Sequence, residues 1–252
     1  MKSFYFPLLR LQSNVLLLFS FPQLHGMPEY GKAEYWDERY KSNDTTFDWF
    51  VSFEPLKDIL LALCKPEHKV LVVGCGNSRV SPQLYENGIQ NITNVDISEV
   101  VIGQMRSRYR EMDRMEWLRM DVLKLDFPDN TFDVVIDKGT IDSLLCGSNS
   151  FHNVYLMNKQ ISRVMKKGAR LISITYGQPD TRIDHYRRKK LHFEVEHRTV
   201  DKPVFSSDAS PTSNYHVYVM TKTDEGDAAD EGEDDDEEDD DFYDKFQANV
   251  AM

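Results

Sequence analysis

Hydrophobic and polar positions along the chain follow two alternating rhythms, one of period near 3.6 and one of short apolar runs. Residues 30–40 read as a short aromatic helix with charges on its other side. Residues 53–63 read as an amphipathic helix ended by Lys65-Pro66. The run 69–73, closed by Gly74, predicts a buried strand. A helix follows over 78–87, stopped by Gly88, the residue type favoured just past a helix end. A strand over 92–95 ends at Asp96, 98–109 is helical, and 115–119 is a third strand running into an acidic turn at Asp121. The clearest strand is 132–137, apolar, β-branched and preceded by the Asp129-Asn130 turn signal. A helix over 155–165 leads through Lys167-Gly168 into a strand over 170–176. Two β-rich segments, 192–200 and 215–222, are joined by a Ser/Asp/Pro-rich loop over 201–214. Strands alternating with helices predict an α/β fold with a mostly parallel sheet covered on both faces. The last two strands have no helix between them, so they predict an antiparallel C-terminal hairpin.

Charge changes this picture only at the ends. The net charge of −12 is concentrated in residues 224–244, which hold fifteen Asp/Glu and no Lys/Arg, leaving a near-neutral remainder of 27 acids and 30 bases. No long basic run supports binding to a phosphate backbone, so direct nucleic-acid binding is not expected. The low-complexity acid of 223–252 predicts a solvated, disordered tail, with docking on a basic partner as the other reading and Phe242, Tyr243 and Phe246 as an aromatic hook. Residues 1–26 carry no acid, two basic residues (Lys2 and Arg10) and an apolar run, 15–21, too short to cross a membrane. They read as an upstream extension with Met27 as the working start, or as a mitochondrial presequence, and are excluded from the fold. Residues 27–222 are then one domain, expected as a cytoplasmic monomer or, with a working presequence, a mitochondrial one. Cys64, Cys75 and Cys146 are widely spaced and form no Cys-x-x-Cys pair, so no metal site and no disulfide framework are expected.

The chemistry gathers where the predicted parallel strands end. Val70-Leu-Val-Val-Gly-Cys-Gly-Asn77 is a strand entering a glycine turn before a helix, where Gly74 and Gly76 allow close backbone approach to a ligand. Asp96 stands 22 residues after Gly74 at the end of the next strand, a position from which a carboxylate accepts both ribose hydroxyls. Asp121, ending the third strand, is placed to accept the amine of adenine while Val122 packs on the ring. Capping roles are the competing account of both acids. Asp137-Lys138-Gly139-Thr140 follows the fourth strand. Position 79 is Arg where a dehydrogenase fingerprint has its third glycine, and no G-x-x-x-x-G-K-[ST] loop is present for a kinase or ATPase.

Tyr35-Trp36-Asp37 with Tyr40, Phe47-Asp48-Trp49-Phe50, the L-V-V-G-C-G-N-S run ending at Ser78, Val95-Asp96, Leu125-Asp126-Phe127-Pro128 and residues 132–145 together form a linked set. This set resembles the eukaryotic seven-β-strand lysine methyltransferases acting on translation elongation factor 1-alpha, to which the mitochondrial citrate synthase lysine methyltransferase is related. The resemblance spans residues 30–222 and implies a Rossmann-like class I methyltransferase fold, S-adenosylmethionine as cofactor and a protein-lysine acceptor. It places cofactor contacts on Trp36, Tyr40, Trp49, Gly74, Gly76, Asp96, Ile97, Asp121, Val122 and Lys138, the aromatic rings facing the sulfonium charge. Core packing is the alternative for the rings, and an ion pair the alternative for Lys138. The implied reaction is an in-line displacement by a neutral amine, for which Asp137 and Asp142 are the candidate catalytic residues, to take the proton or steer the amine, with a structural role as the alternative for both. Asp-Lys-Gly-Thr replaces the Asn/Asp-Pro-Pro-aromatic run of enzymes that methylate planar amides, which favours an aliphatic amine. The chain departs from this family's pattern over 146–154 and 201–214, where loops would read the substrate. A methyltransferase for a small molecule or another protein, and a catalytically silent cofactor-binding module, are the competing functions.

Overall fold

The computed structural model describes residues 30–201 and 214–223. The expected leader, residues 202–213 of the late loop and the acidic tail beyond Thr223 lie outside the described residues. Seven strands form one sheet: β1 (Val70–Val73), β2 (Ile92–Asp96), β3 (Met115–Arg119), β4 (Phe132–Lys138), β5 (Met165–Thr175), β6 (Phe193–Asp201) and β7 (Asn214–Lys222). Their spatial order is β3-β2-β1-β4-β5-β7-β6, parallel from β3 to β5, with β7 antiparallel to both β5 and β6. The helices are α1 (Ala33–Ser42), α2 (Phe53–Leu63), α3 (Val80–Glu86), α4 (Glu99–Arg108), α5 (Thr140–Leu145), α6 (Ser150–Val164) and α7 (Pro179–Tyr186).

Strand alternation sorts the core into two layers, because successive side chains of a strand point to opposite faces. Val70, Val72, Val134 and Ile136 point to one face and pack with Leu56 and Leu60 of α2, Leu84 of α3 and Ile102 of α4. Leu71, Val73, Val135 and Leu171 point to the other and pack with Ile141 of α5, Met157 and Ile161 of α6, and Tyr186 of α7. All four β1 side chains are buried, which is why that strand reads as an unbroken apolar run. The sheet grows toward β2 on one side of β1 and toward β4 on the other. The carboxyl ends of β1 and β4 therefore flank the point where strand order reverses, the place where open α/β sheets bind ligands.

The predicted strands, parallel core and antiparallel hairpin are all present. The late helix runs over Ser150–Val164, five residues earlier at its start than expected. β5 begins at Met165 because Lys167-Gly168, read as the connection into the strand, belongs to a strand segment whose pairing with β4 shifts register between Phe132 and Val134. Helices α5 and α7 were not expected. The first starts from a left-handed Gly139 (φ +85°), and Asp137 Oδ1 accepts from the Thr140 and Ile141 N–H groups in place of a local cap.

Candidate active site

The turn after β1 is built for tight approach. Gly74 and Gly76 both have positive φ, +54° and +50°. A Cβ on Gly74 would stand 2.0 Å from Thr140 Oγ1, and one on Gly76 would stand 2.8 Å from the Tyr40 hydroxyl. The glycines thus let α1 and the start of α5 close against the turn, a reason beyond room for a ligand. Thr140 completes the joint by donating to the Val73 carbonyl at 3.1 Å.

Asp96 at the end of β2 ties this turn to the next. Its Oδ2 accepts from Gly76 N–H at 2.8 Å and its Oδ1 from Ser98 N–H at 2.9 Å. The residue is 7% exposed, and burial pushes its carboxyl up to about 6 against the lowering effect of these two hydrogen bonds. A carboxylate has about four acceptor positions, so two remain for other donors. At the end of β3, Asp121 accepts from Leu123 N–H at 2.9 Å, and Val122 is buried beside it.

An aromatic cap covers the strand ends. The Trp36 and Tyr40 rings of α1 stack with centroids 5.9 Å apart, and Trp49 meets Trp36 edge-on at 6.4 Å. Trp36 is anchored by donating from Nε1 to the Tyr30 carbonyl at 2.7 Å. Asp37 fixes the helix to the start of α4, accepting from Ser98 Oγ at 2.5 Å and Val100 N–H at 3.3 Å. Asp48 fixes the loop that carries Trp49: it accepts from Ser78 Oγ at 2.5 Å and pairs with Lys138 Nζ at 3.2 Å. Lys138 Nζ also donates to the Trp49 carbonyl at 3.0 Å. Its burial lowers the ammonium's pKa while Asp48 raises it.

All ten residues assigned to the cofactor from sequence line a single cleft: Trp36, Tyr40, Trp49, Gly74, Gly76, Asp96, Ile97, Asp121, Val122 and Lys138. For Lys138 the geometry takes the ion-pair alternative, its ammonium binding the cap loop. Asp137 and Asp142 do not line the cleft. Asp137 is fully buried, with Oδ1 on the α5 amides and Oδ2 accepting from Ser173 Oγ at 2.7 Å. Asp142 Oδ1 accepts from Thr175 Oγ1 and from Arg182 Nη2, both at 2.7 Å. Both acids hold α5 and α7 against the end of β5, Asp137 through both carboxylate oxygens and Asp142 through Oδ1, while Asp142 Oδ2 is buried with no hydrogen-bond partner among the described residues. Sequence reading named Asp37, Asp48 and Asn77 only within their motifs, the partners of the two acids lying 30 to 90 residues away, and missed Ser143 and Asn153 on the cleft wall.

The donor and acceptor set suits an adenosyl group: a buried carboxylate for a sugar diol, an acidic turn for an amine edge and an apolar flank for a ring. Residues 71–173 match the family described as "Methyltransferase domain". EEF1A lysine methyltransferase 4 of Mus musculus is 36% identical over 204 residues, which cover 77% of this chain and 76% of that protein. The protein of the same name from Bos taurus is 34% identical over 217 residues, covering 81% and 82%. The eEF1A lysine and N-terminal methyltransferase of Mus musculus is 38% identical over 207 residues, covering 77% of this chain but 29% of that protein. Among solved structures, a SAM-dependent methyltransferase from Methanosarcina mazei shares the fold with a TM-score of 0.52 at 16% identity, covering 70% of this chain and 99% of that one. A TehB-like SAM-dependent methyltransferase from Corynebacterium glutamicum does so with a TM-score of 0.52 at 16% identity, covering 76% and 98%. With the cleft, the sheet order and these relatives in agreement, the chain belongs to the S-adenosylmethionine-dependent seven-β-strand protein-lysine methyltransferases that include EEF1A lysine methyltransferase 4.

Proposed function

We propose that residues 27–222 form the enzyme that methylates a lysine ε-amine of translation elongation factor 1-alpha. The observation that carries this is the match to EEF1A lysine methyltransferase 4 over three quarters or more of both chains. S-adenosylmethionine, when bound, supplies an electrophilic methyl on a positively charged sulfur. The chain's own part is to bind, orient and keep out water. Asp96 accepts the ribose hydroxyls, Asp121 the adenine amine, and Val122 and Ile97 flank the base. Trp36, Tyr40 and Trp49 close the site, and Gly74 and Gly76 let the β1 turn lie against it. Lys138 and Asp48 hold Trp49 in place. An acceptor lysine has a pKa near 10.4 in water, and both burial and a neighbouring positive charge favour its neutral, reactive form. Rate enhancement rests chiefly on holding the amine in line, worth several orders of magnitude, with the amine's proton left in bulk water before the lysine enters. Mass spectrometry of elongation factor 1-alpha incubated with the enzyme and S-adenosylmethionine should show a 14 Da step, or a multiple of it, on one lysine. An unchanged elongation factor beside another labelled protein would redirect the substrate.

The raised Asp96 pKa gives a signed pH dependence. Hydroxyl donors favour the ionised carboxylate, so cofactor affinity is level above about pH 7 and weakens as pH falls through about 6. Below that it drops by about tenfold per pH unit. The Asp96 and Asp137 contributions to the stability of the free protein move the other way, opposed in part by His185, whose pKa burial lowers to about 3. Asp96 and Asp137 both have folded pKa values of about 6, above the ordinary 3.8, so between those limits the native state holds the extra protons and gains stability as pH falls. Calorimetric titrations from pH 5 to 8 beside melting curves should show these opposed trends; an affinity flat across pH 6 would remove Asp96 from the ribose.

A further inference from the structure

Beyond the cleft, toward β5 and β7, the same sheet edge carries a second aromatic feature. Phe50 is a bulky residue at φ +65°, a region such side chains rarely occupy. Val51 N–H donates to the Trp49 carbonyl at 2.8 Å, so Phe50 sits at the centre of a three-residue turn of the uncommon, strained kind. That turn is held from outside by Lys138 on the same carbonyl. Backbone strain of this sort persists where the surroundings enforce it, and it concentrates at functional sites. Its effect here is to aim the Phe50 ring at the end of β4, where a Cβ on Gly139 would be 3.2 Å away, and at two tyrosines. The Tyr176 and Tyr215 centroids lie 6.3 and 6.2 Å from that of Phe50.

Tyr176 is 60% exposed, yet its backbone is not loose. On one side Thr175 is fully buried and bonded to Asp142 and Arg182. On the other, Gly177 N–H donates to Thr175 Oγ1 at 3.1 Å and the Gly177 carbonyl accepts from Tyr218 Oη at 3.0 Å. The Arg182 side chain lies so close over Gly177 that a Cβ there would be 2.3 Å from it. A large ring is thus presented outward by a clamped turn. Tyr215 reaches the same edge because β7 runs antiparallel to β5, placing His216 opposite Thr175. Asp96 and Asp121 assign the nucleoside to the β2–β3 side, which leaves the β4–β5–β7 side for the acceptor.

We propose that Phe50, Tyr176 and Tyr215 form the acceptor wall, receiving the target lysine of the protein substrate with its aliphatic stem against the ring faces and its ammonium over them on approach. This rests on the lysine-methyltransferase reading above. Ring faces attract an ammonium and shed water along an apolar stem, which a small polar acceptor would not exploit. Asp142, through Arg182 and Thr175, then acts as a positioning residue for Tyr176.

The test is steady-state kinetics on the full chain with labelled S-adenosylmethionine and purified elongation factor 1-alpha, for the parent, Tyr176→Ala and Tyr176→Phe. Tyr176→Ala should raise the KM for the protein acceptor by about tenfold or more, the scale of one desolvated cation–ring contact, and Tyr176→Phe should restore most of it. Cofactor affinity, read by calorimetry, should stay within about twofold of the parent because Tyr176 lies outside the cofactor cleft. An acceptor KM unchanged in Tyr176→Ala, or a cofactor affinity that falls in step with it, would overturn the wall while leaving the reaction intact. A parent that labels a lysine of some other protein overturns the elongation-factor reading alone, and the same variants then support or overturn the wall on that acceptor.

Discussion

Asp96→Ala leaves a folded protein that gives no measurable heat with S-adenosylmethionine or with S-adenosylhomocysteine. The carboxylate stands at the β2 end with one lone pair on Gly76 N–H and one on Ser98 N–H, and its remaining capacity faces the cleft. Two hydroxyl donors to an ionised acceptor contribute about 1.5–3 kcal/mol each, so losing both weakens binding by roughly two to four powers of ten. Stability is expected to move much less. Two backbone N–H groups lose their acceptor, which costs, but a carboxylate whose pKa is pushed up to about 6 by burial is removed, which gains. Retained cofactor affinity in Asp96→Ala, with a parent-like melting curve, would mean that the ribose is held elsewhere and that the strand-end assignment is wrong.

The sheet, and the convergence of Gly74, Asp96 and Asp121 on one cleft, were legible because both follow from local pattern. Residues 70–73 and 132–137 are apolar runs between turn signals, and Gly74, Asp96 and Asp121 fall at the ends of runs, where the parallel order of strands brings them together. What stayed illegible depends on partners distant in sequence. Nothing near Asp37 or Asp48 announces that Ser98, Ser78 and Lys138 will reach them. Asp137 and Asp142 have the right residue type and neighbourhood for proton transfer. Only the folded contacts show that Asp137 holds the α5 amides and Ser173 with its two oxygens, and that Asp142 holds the Thr175 and Arg182 side chains with one of its own. Helix α5 has six residues, too few to establish a period, and its start is enforced by Asp137 from two residues upstream of its cap. Phe50 is the extreme case. A phenylalanine carries no sequence signal for positive φ, so its strained turn exists only because Lys138, Asp48 and the neighbouring rings impose it.

Gly74→Ala should destabilise the protein by about 2–5 kcal/mol, combining a left-handed backbone penalty of about 1–3 kcal/mol with overpacking of similar size. The two parts have separate origins on the structure. The first comes from φ +54°, which any Cβ disfavours. The second comes from Thr140, whose Oγ1, Cγ2 and Cβ would lie 2.0, 2.8 and 2.9 Å from the new methyl. Thr140 has little freedom to retreat, because its hydroxyl donates to the Val73 carbonyl and its amide to Asp137. For a domain of this size the melting temperature should fall by roughly 5–15 °C. A second variant separates the causes. Adding Thr140→Ala removes the Oγ1 and Cγ2 clashes but leaves the backbone strain and the 2.9 Å approach to Cβ, so Gly74→Ala/Thr140→Ala should be more stable than the sum of its single changes by about 1 kcal/mol or more. Strict additivity would mean that the close approach of β1 and α5 is not what requires the glycine, and a Gly74→Ala protein melting with the parent would dispose of both terms together.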